Sequence, residues 1–518
     1  MKTLIVAPWG DPVRWKEIRY IVELPSKNFK DIALSKEYYC KASSLAALHE
    51  AFEKELGWKC FSLILIPSTL AVNGPDFYEN IPEKFSNLAK IALNYVKSIA
   101  QNKPILPKNN YCLRVIPSIG LFPSKDKDFE TLFRGSIRIF YSAVYFTVLK
   151  TLSEDKYDVV VLDLSHGVNF MPVTTRNAIE YAAYAYTASG NVEKLQMLSY
   201  NSAPITPPPG KKAEEIPPLN IHLIESIKID PEYAFQQLYN EVYSIIKYRG
   251  QSFETNKLVN IVDKERAKIL IRKYLNFIEK ELLLNQLNEL NKLATDLTDS
   301  LQNGLILKLA MTLDKLGYKH LSAIEKVIEE YSIKCKALTV NKHYNKKTQV
   351  EYNYNIEPRI RVTKLHALIY AILKRTEKIG KISEDTWYPI DILNKIEEEF
   401  IVDKVKKIII KNELENYKTR ILGLKDIIGE KPLAKEEGIP YAAVHSLTSE
   451  ARAIRLIDLF RRYDPLIRRI VKDLEDIASK TSLEYDERNF YAHAGLEQNI
   501  VKIKVKGNKI LVKYRKEI

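Results

Sequence analysis

The first two hundred residues alternate short apolar runs with longer stretches of helical periodicity. Fully apolar runs are typical of strands buried on both faces of a parallel sheet. We therefore predict strands at Lys2–Ala7, Phe61–Ile66, Cys112–Ile116, Tyr157–Leu164 and Leu195–Tyr200. Helices are predicted between them at Ser44–Leu56, Pro82–Gln101, Phe129–Thr151 and Val173–Ser189. The alternation predicts a doubly wound, Rossmann-like α/β domain.

A proline-rich segment from Ala203 to Pro218 interrupts this pattern. Proline runs stop helices and form semi-rigid spacers, so we predict that the first domain covers residues 1–205. Residues 206–339 are predicted to be a mostly helical linker. Within it, Glu265 to Leu316 has leucine and isoleucine at three- and four-residue spacings, which suits a core helix or, less commonly, a dimer-forming helix.

Residues 340–437 are predicted to be an insertion, with a hairpin-like pattern over Val340–Val362 and helices resuming from Lys364. A charged segment from Gly423 to Gly438 precedes a further helical stretch, Tyr441–Lys480. The chain ends in strict alternation around Gly507-Asn508, a strong hairpin signal. One face of that hairpin is apolar and the other is a row of lysines. Residues 438–518 are predicted to be the core of the second domain.

Composition narrows the class of protein. A length of 518 residues with 46% hydrophobic content predicts two or three packed domains. The net charge of +14 favours polyanionic partners, although a thermophile-like surface rich in Lys and Glu fits it too. The scattered Cys40, Cys60, Cys112 and Cys335 suit neither zinc nor a disulfide framework. No signal peptide or bilayer-spanning apolar stretch is evident, so we expect a cytoplasmic protein without membrane contact.

The segment from Tyr485 to Gly495 carries the most specific chemistry. Arg488 is followed by the polar Asn489 and, after four intervening residues, by His493. RNA is cleaved when its 2′-hydroxyl attacks the adjacent phosphate, which requires proton transfer near neutral pH and stabilisation of phosphate charge. Histidine titrates in that range, and arginine forks onto phosphate oxygens. The chemistry of RNA cleavage therefore suits these residue types and requires no metal. The arginine, its polar neighbour and the histidine at this spacing resemble the active-site pattern of HEPN-type ribonucleases.

The spacing of this motif also bears on assembly. A five-residue step rotates roughly 140° about a helix axis, so Arg488 and His493 would not share a face, whereas Asn489 and His493 would. Two copies facing each other could pool these residues, which predicts a dimeric site. The alternative is a surface arginine and a histidine in the last turn before a Gly495 cap, favoured by the helix dipole.

A second group of polar residues follows the predicted strands. Ligands of open α/β sheets bind at the carboxyl ends of strands, and a following helix N-terminus favours anions. Arg14 could meet phosphate there, and Trp9 or Trp15 could stack on a base. The Thr69 hydroxyl is a further candidate. The predicted ligand-binding residues are Gly10, Asp11, Arg14, Trp15, Ser68, Ser165, His166, Gly167 and Asn169. Ordinary strand-to-helix turns are the alternative for each loop taken singly.

Three segments of the sequence together resemble the CARF–HEPN ribonucleases of type III CRISPR systems. They are the Pro8-Trp9-Gly10-Asp11 turn, the segment from Asp163 to Asn169 and the segment from Arg488 to Gly495. The resemblance implies a CARF sensor that binds cyclic oligoadenylate, often the tetramer, across a two-fold axis. It implies a HEPN dimer that then cuts single-stranded RNA without metal or other cofactor, with Arg488 and His493 catalytic and Asn489 supporting. The linker of that family, similar to a helix-turn-helix, would follow Pro218.

Two alternatives stay open at this point. A ligand-controlled DNA-binding regulator would suit the basic charge and the helical middle, but it leaves Arg488 and His493 without a role. A scaffold with a decayed nuclease is disfavoured because both residues are present. Several ring sizes of the activator, several RNA sequence preferences and oligomers larger than a dimer are compatible with the sequence. Slow cleavage of the activator by the sensor is compatible with it too.

Overall fold

The structure is a computed structural model of the whole chain. It describes all residues except 27, 30, 76, 79–80, 83, 124–128, 169, 204–212, 251–281, 334, 340–347, 355–359, 451–463, 481–486 and 516–518. The chain divides into two compact units. Unit 1 comprises residues 1–238 and 321–371, and unit 2 comprises residues 239–320 and 372–518.

Unit 1 is built on a nine-stranded mixed sheet. Its strands are β1 (Lys2–Pro8), β2 (Ile18–Pro25), β3 (Ile32–Leu34), β4 (Tyr39–Lys41), β5 (Lys59–Pro67), β6 (Tyr111–Ile116), β9 (Val159–Asp163), β10 (Leu195–Ser202) and β11 (Leu219–Ile229). The order is β3-β2-β11-β10-β9-β1-β5-β6, with β4 beside β2. The stretch from β10 to β6 is parallel, as predicted. Its strands are largely buried except β6, which lies at the edge of the sheet. Strand β11 is antiparallel to β10 and parallel to β2.

Strands β2 and β11 were not predicted. The helical expectation after Pro218, including the helix-turn-helix, is wrong for the described residues 219–229, which form β11. Apolar residues alternate along much of this strand, but only Ile221 and Ile229 are buried. The pairing of the strand with β10 therefore decides its conformation. It belongs to the same sheet although it lies beyond residue 205.

The helices of the first two hundred residues are α1 (Ser44–Leu56), α2 (Phe85–Ala100), α3 (Ile137–Glu154) and α4 (Met171–Ala188). They agree with the predictions except at the start of α3. Phe129–Arg134 is strand β8, and the helix begins only after the N-cap Ser136, whose side chain accepts a hydrogen bond from the Arg138 N–H. The prediction of helix from Phe129 is wrong because β8 pairs with strands on both sides.

Those partners form a second, four-stranded sheet in unit 1, in the order β12-β13-β8-β7. Its other strands are β7 (Gly120–Pro123), β12 (Cys335–Thr339) and β13 (Thr348–Tyr354). A hairpin forms from the antiparallel β12 and β13, but only β13 falls within the predicted Val340–Val362, because β12 ends at Thr339. Residues 340–347 and 355–359 lie outside the described chain. Phe133 of β8 stacks on Tyr352 of β13, with ring centroids 5.0 Å apart.

Unit 2 is mainly helical. The remaining helices of the chain are α5 (Pro231–Gly250), α6 (Leu282–Asn303), α7 (Ile306–Lys315), α8 (Tyr318–Ile333), α9 (Ile360–Ile379), α10 (Ile390–Phe400), α11 (Lys404–Ile428), α12 (Tyr441–Glu450), α13 (Asp464–Lys480) and α14 (Glu487–Ala492). Within the predicted Glu265–Leu316 helix, residues up to 281 lie outside the described chain and Gly304 (φ +70°) separates α6 from α7. Buried leucines of α6, such as Leu297, support its interpretation as a core helix.

Two other predicted boundaries moved. Helix α11 passes through Gly423 and ends at Ile428, before Gly429 (φ +75°), so the charged segment interrupts the helices later than predicted. Helix α9 begins at Ile360 rather than at Lys364. Of the predicted Tyr441–Lys480 helix, α12 and α13 are described, and residues 451–463 lie outside the described chain.

The C-terminal hairpin is confirmed. It consists of β16 (Val501–Lys506) and β17 (Lys509–Tyr514), flanked by the two-residue strands β14 (Tyr388–Pro389) and β15 (Ile439–Pro440) in the order β14-β17-β16-β15. Its apolar face is buried, with Ile503 and Val512 fully inaccessible to solvent. Among the helices of the described residues, none is both long enough and apolar enough to cross a membrane.

Candidate functional site

The loops after β1 and β9 meet through their backbones. The Gly10 N–H donates to the His166 carbonyl oxygen at 2.7 Å. A Cβ atom at Gly10 would lie 2.4 Å from a methyl group of Val168, and one at Gly167 would lie 2.6 Å from Pro172. Both positions therefore require glycine for the close approach of the loops. This contact supplies a structural reason for two of the predicted ligand residues.

His166 joins this loop pair to helix α1. Its Nε2 accepts a hydrogen bond from the Ser44 N–H at 3.1 Å, in the first turn of α1. Its ring stacks on Trp15 with centroids 4.0 Å apart. Burial lowers the pKa of His166, with the Asp163 carboxylate opposing the shift. The neutral imidazole thus occupies a helix N-terminus, which is the kind of position that suits an anion.

Several predicted ligand residues hold the loops in place. Asp11 accepts hydrogen bonds from the Val13 N–H (3.1 Å), from Asn73 Nδ2 (3.1 Å) and from the Tyr95 hydroxyl (2.9 Å). Ser165 Oγ accepts from the Ser202 N–H at 3.1 Å. These contacts stabilise the turns from which the more accessible side chains project.

The accessible candidates are fewer than predicted. Arg14 is exposed at the end of a short 3₁₀ turn, and Trp15 and His166 are partly exposed. Trp9 is fully buried and packs edge-on against Trp15, so the expectation that Trp9 could stack on a base is wrong. Ser68 and Thr69 are also buried, and Ser68 Oγ accepts from the Ser118 N–H at 3.0 Å. Asn169 lies outside the described residues.

The C-terminal motif occupies a helix end and the turn after it. Arg488 and Asn489 are exposed on α14, which ends at Ala492, so His493 lies in the turn rather than in the helix. The His493 N–H still donates to the Asn489 carbonyl oxygen at 2.9 Å, and the Gly495 N–H donates to the Phe490 carbonyl oxygen at 2.8 Å. Ala494 (φ +53°) and Gly495 (φ +78°) are two consecutive left-handed residues that follow the helix and prevent its continuation. The turn predicted by the alternative interpretation is therefore the one that forms.

Glu413 is the partner of His493. The His493 Nδ1 lies 3.1 Å from a Glu413 carboxylate oxygen. A carboxylate only accepts, so Nδ1 carries the proton in this contact. The His493 side chain is 48% exposed and that of Glu413 is 21% exposed. Among the described residues, none forms a hydrogen bond with His493 Nε2. This arrangement fixes the tautomer of the imidazole and keeps its second nitrogen available for proton transfer.

Helix α11 brings further side chains to this turn. The Tyr417 hydroxyl donates to the Leu496 carbonyl oxygen at 2.6 Å, which ties α11 to the chain just after His493. Arg420 donates to Thr448 Oγ1 at 3.2 Å on α12. Burial lowers the pKa of His445 on the same helix, with smaller contributions from Arg420 and His493. The site therefore contains a second, neutral histidine in the electrostatic range of the first.

Sequence reasoning missed Glu413, Tyr417, Arg420 and His445. Glu413 and His493 are 80 positions apart, and no spacing rule connects them. The one sequence feature that could have pointed to Glu413 is a carboxylate within the lysine-rich segment of α11. Such a feature is too common to identify a catalytic partner. In the described part of the chain, no three His, Cys, Asp or Glu side chains are arranged to hold a metal ion.

Comparisons with known proteins match both ends of the chain. The CARF-domain model of the CRISPR system endoribonuclease Csx1 matches residues 4–204, and the HEPN-domain model of the same family matches residues 403–516. Together they match more than half of the chain. The chain belongs to the CARF–HEPN ribonuclease family of CRISPR systems. Its fold agrees, since the CARF domain contains the mixed sheet and the HEPN domain is helical with a small antiparallel sheet.

Two individual proteins are similar to this CARF–HEPN chain. It is 26% identical over 280 residues to the CRISPR system endoribonuclease Csx1 of Methanocaldococcus jannaschii. The match covers 53% of this chain and 52% of that relative, so the chain spans about half the length of the curated relative. The structure of Enterococcus italicus Csm6 bound to cyclic hexa-2′-fluoro-hexa-dAMP is 12% identical, with a TM-score of 0.22, over 94% of this chain and 96% of that one.

Proposed function

We propose that this CARF–HEPN chain is an endoribonuclease that cleaves single-stranded RNA without a metal ion. We further propose that cyclic oligoadenylate, with the cyclic tetra-adenylate as the first candidate, switches it on in type III CRISPR antiviral defence. The observation that carries the proposal is the pairing of His493, five residues after Arg488, with Glu413, within the segment that matches the HEPN model. Catalytic residues of this kind need no cofactor, and the ring acts as an allosteric activator.

The proposed chemistry uses the geometry of His493. An imidazole held by a carboxylate at Nδ1 can remove a proton from the 2′-hydroxyl of RNA through Nε2. The 2′-oxygen then forms a bond to the adjacent phosphorus, the bond from phosphorus to the 5′-oxygen breaks, and that oxygen receives a proton. The Arg488 guanidinium stabilises the charge on the phosphate, and Asn489 supports it. The products are a 2′,3′-cyclic phosphate and a 5′-hydroxyl.

The sensor is proposed to lie at the loops after β1 and β9. The ligand candidates all fall within residues 4–204, the range that matches the CARF model. Arg14 would contact phosphate, and Trp15 would stack on adenine in place of His166. Five further candidates hold the loops in place, namely Gly10, Asp11, Ser68, Ser165 and Gly167. Asn169 is included in the proposed pocket on the basis of the sequence. We propose that β11 belongs to the sensor domain. For the rest of the chain we propose the domain boundaries that the sequence suggests, which are 206–339, 340–437 and 438–518.

The central test is cleavage of labelled single-stranded RNA in excess EDTA, with and without cyclic tetra-adenylate. The parent protein is expected to cut when the ring is present. His493→Ala should lose about 100- to 10,000-fold in rate, since it removes a general acid or base. Its control is His222→Ala, a half-exposed histidine on β11 of unit 1. Cleavage that depends strictly on magnesium, or parent-like cutting by His493→Ala, contradicts the proposal.

A second assay addresses the sensor. Arg14→Ala should weaken binding of cyclic tetra-adenylate in a filter-binding titration, because it removes a charge-assisted contact to phosphate. Arg114→Ala, which removes an exposed arginine from edge strand β6, is the matched control. Parent-like binding and activation by Arg14→Ala would move the pocket elsewhere.

The same assays separate the remaining possibilities. Incubating the ring with His493→Ala and analysing it by chromatography reveals any slow cleavage by the sensor itself. Binding of duplex DNA that responds to the ring, without RNA cleavage by the parent, would favour a DNA-binding regulator instead.

A further inference from the structure

One face of the C-terminal hairpin carries five lysines. Strand β16 contributes Lys502, Lys504 and Lys506, and β17 contributes Lys509 and Lys513. The register places Lys502 directly opposite Lys513 and Lys506 directly opposite Lys509, so all five project from the same side of the sheet. We call this side the lysine face.

The lysine face is electrostatically unfavourable for the folded chain alone. Like charges directly opposite each other on paired strands are destabilising. The apolar alternation of the buried face requires only polar residues on the other side, and threonine or glutamate would satisfy it. Lysines also protect edge strands from aggregation, but that role does not require them to face each other within a hairpin. Departures from such local rules are expected at functional sites.

Within the described part of the chain, three of the five ammonium groups form no ion pair, whereas Glu384 interacts with the other two. Lys509 pairs with Glu384 directly, and Lys506 interacts with it at longer range. Among the described residues, no acidic side chain forms an ion pair with Lys502, Lys504 or Lys513. Lys504 and Lys513 instead lie over the ring of Trp387, with Nζ 5.8 and 4.3 Å from its centroid. Burial and the two neighbouring ammonium groups lower the pKa of Lys513.

Nearby lysines show the contrast. Lys425 pairs with Glu430 at 3.2 Å, and Lys435 pairs with Glu475 at 2.5 Å. The described part of unit 2 therefore supplies carboxylates to lysines around this sheet, but not to Lys502, Lys504 or Lys513. An external polyanion would provide the missing counter-charges.

We propose that the lysine face binds the phosphodiester backbone of single-stranded RNA, at a stretch of the strand distinct from the one cleaved at His493. The assignment of RNA as the polyanion rests on the proposed function. Trp387 is only 4% exposed and covered by two lysines, so it cannot stack on a base. The contact is therefore to phosphates and is independent of RNA sequence.

The hairpin connects this face to the catalytic turn. On its buried side, the Tyr514 hydroxyl donates to the Gly495 carbonyl oxygen at 2.9 Å, two residues after His493. The strand that carries Lys513 thus also positions the turn that carries His493. RNA held on the lysine face is retained at a fixed position relative to the cleavage site.

The test uses the full chain with His493→Ala, so that RNA is bound without being cut. Fluorescence anisotropy of a labelled single strand is measured over a range of salt concentrations. Each phosphate contact to a single strand contributes about 0.7 to the slope of log Kd against log salt. Replacing Lys502, Lys504 and Lys513 together by Gln should therefore reduce the slope by about 2.

The matched control replaces Lys374, Lys425 and Lys435, which lie outside the lysine face, by Gln. It removes the same charge from lysines that already have carboxylate partners and should leave the slope close to that of the parent. Replacing Lys502, Lys504 and Lys513 by Arg keeps the charge and should keep the slope. If the Gln triple variant fails to fold, the three single Gln substitutions replace it, and each should lower the slope by about 0.7. An equal loss in both Gln triples, or an unchanged slope in the face triple, overturns the proposal.

Two further outcomes are informative. Tighter, face-dependent binding to vesicles containing anionic lipid than to RNA overturns the proposal in favour of a membrane surface. If the parent cuts no RNA under any condition but the face lysines still govern RNA binding, the proposed nuclease fails and the lysine face stands. If the parent cuts RNA but the face lysines do not affect RNA binding, the proposed nuclease stands and the proposed role of the lysine face fails.

Discussion

His493 is oriented by Glu413, a residue on a helix far from it in sequence. The carboxylate accepts from Nδ1, so it determines which nitrogen can exchange a proton with substrate. Glu413 need not touch RNA for this effect, and we regard it as a positioning residue.

Glu413→Ala should therefore reduce kcat by up to about 100-fold, as small misplacements of a catalytic group do, with little change in KM. Glu413→Gln keeps an oxygen that accepts from Nδ1 and should recover part of the loss. The measurement is steady-state RNA cleavage by the two variants and by Glu415→Ala, which removes an exposed carboxylate from the same helix. Equal losses in the Ala and Gln variants would contradict a role in orientation.

His166 gives the CARF domain a dependence on pH. Burial lowers its pKa below the ordinary value of 6.5, and Nε2 must be unprotonated to accept from the Ser44 N–H. Between the folded pKa and 6.5, the unfolded chain binds more protons than the folded chain. The contribution of His166 to stability is therefore complete above 6.5 and falls as the pH drops below it.

His166→Gln should reduce this dependence, since the amide oxygen can accept the same hydrogen bond but does not titrate. We expect the fall in Tm between about pH 7.5 and about pH 5.5 to be smaller in this variant than in the parent. His222→Gln, at an exposed position of β11, should behave like the parent. A parent-like fall in the His166 variant would show that the imidazole stays neutral throughout or that its protonation is tolerated.

At the scale of elements, the C-terminal sheet depends on two glycines in left-handed conformations. Gly507 (φ +59°) lies in the hairpin turn, with nothing within 4 Å of where a Cβ atom would be. Gly438 (φ +69°) precedes β15, where a Cβ atom would lie 2.2 Å from the Trp387 ring and 2.9 Å from the Ile503 carbonyl oxygen. The first glycine serves only the backbone, whereas the second also makes room for the tryptophan under the lysine face.

Alanine substitutions should separate these two requirements. Gly507→Ala should cost about 1–2 kcal/mol for the left-handed conformation alone. Gly438→Ala should lose that amount and a further 1–3 kcal/mol, roughly, for overpacking against Trp387. Urea unfolding followed by tryptophan fluorescence measures both. Equal losses would mean that Trp387 moves aside at no cost.

At the scale of the whole molecule, we propose that two copies of the chain form the active site together. Helix α11 offers a surface for the second copy. Val405 is 66% exposed and Ile408 is 60% exposed, and Ile409, also exposed, is one turn before Glu413 on the same helix. Exposed aliphatic residues in such a group are typical of protein interfaces. A partner that covers them would also approach His493.

Changing Val405 and Ile408 together to Asp should give a monomer in sedimentation experiments and abolish RNA cleavage. Both positions are in the first two turns of α11, where acidic residues are compatible with the helix dipole, so folding should be preserved. Leu34→Asp with Ile224→Asp, at aliphatic positions of unit 1 with similar exposure, is the control. A dimer that persists and cuts RNA would place the interface elsewhere.

The sequence by itself determined the elements that local patterns specify. The apolar runs of β1, β5, β9 and β10 predicted strands that are largely buried, the run of β6 predicted the edge strand beside them, and the alternation around Gly507 predicted a hairpin. The motif from Arg488 to His493 and the loops around Gly10 and His166 identified the family, because those residue types at those positions are specific.

Tertiary structure decided what depends on partners distant in sequence. Phe129–Arg134 and Leu219–Ile229 have patterns that fit more than one conformation, and pairing with other strands made them β8 and β11. Burial removed Trp9 and Ser68 from the accessible ligand candidates, since a sequence does not show which side of a turn faces the core. Glu413 reached His493 only through the packing of α11 against the C-terminal turn, a contact between residues that no local pattern relates.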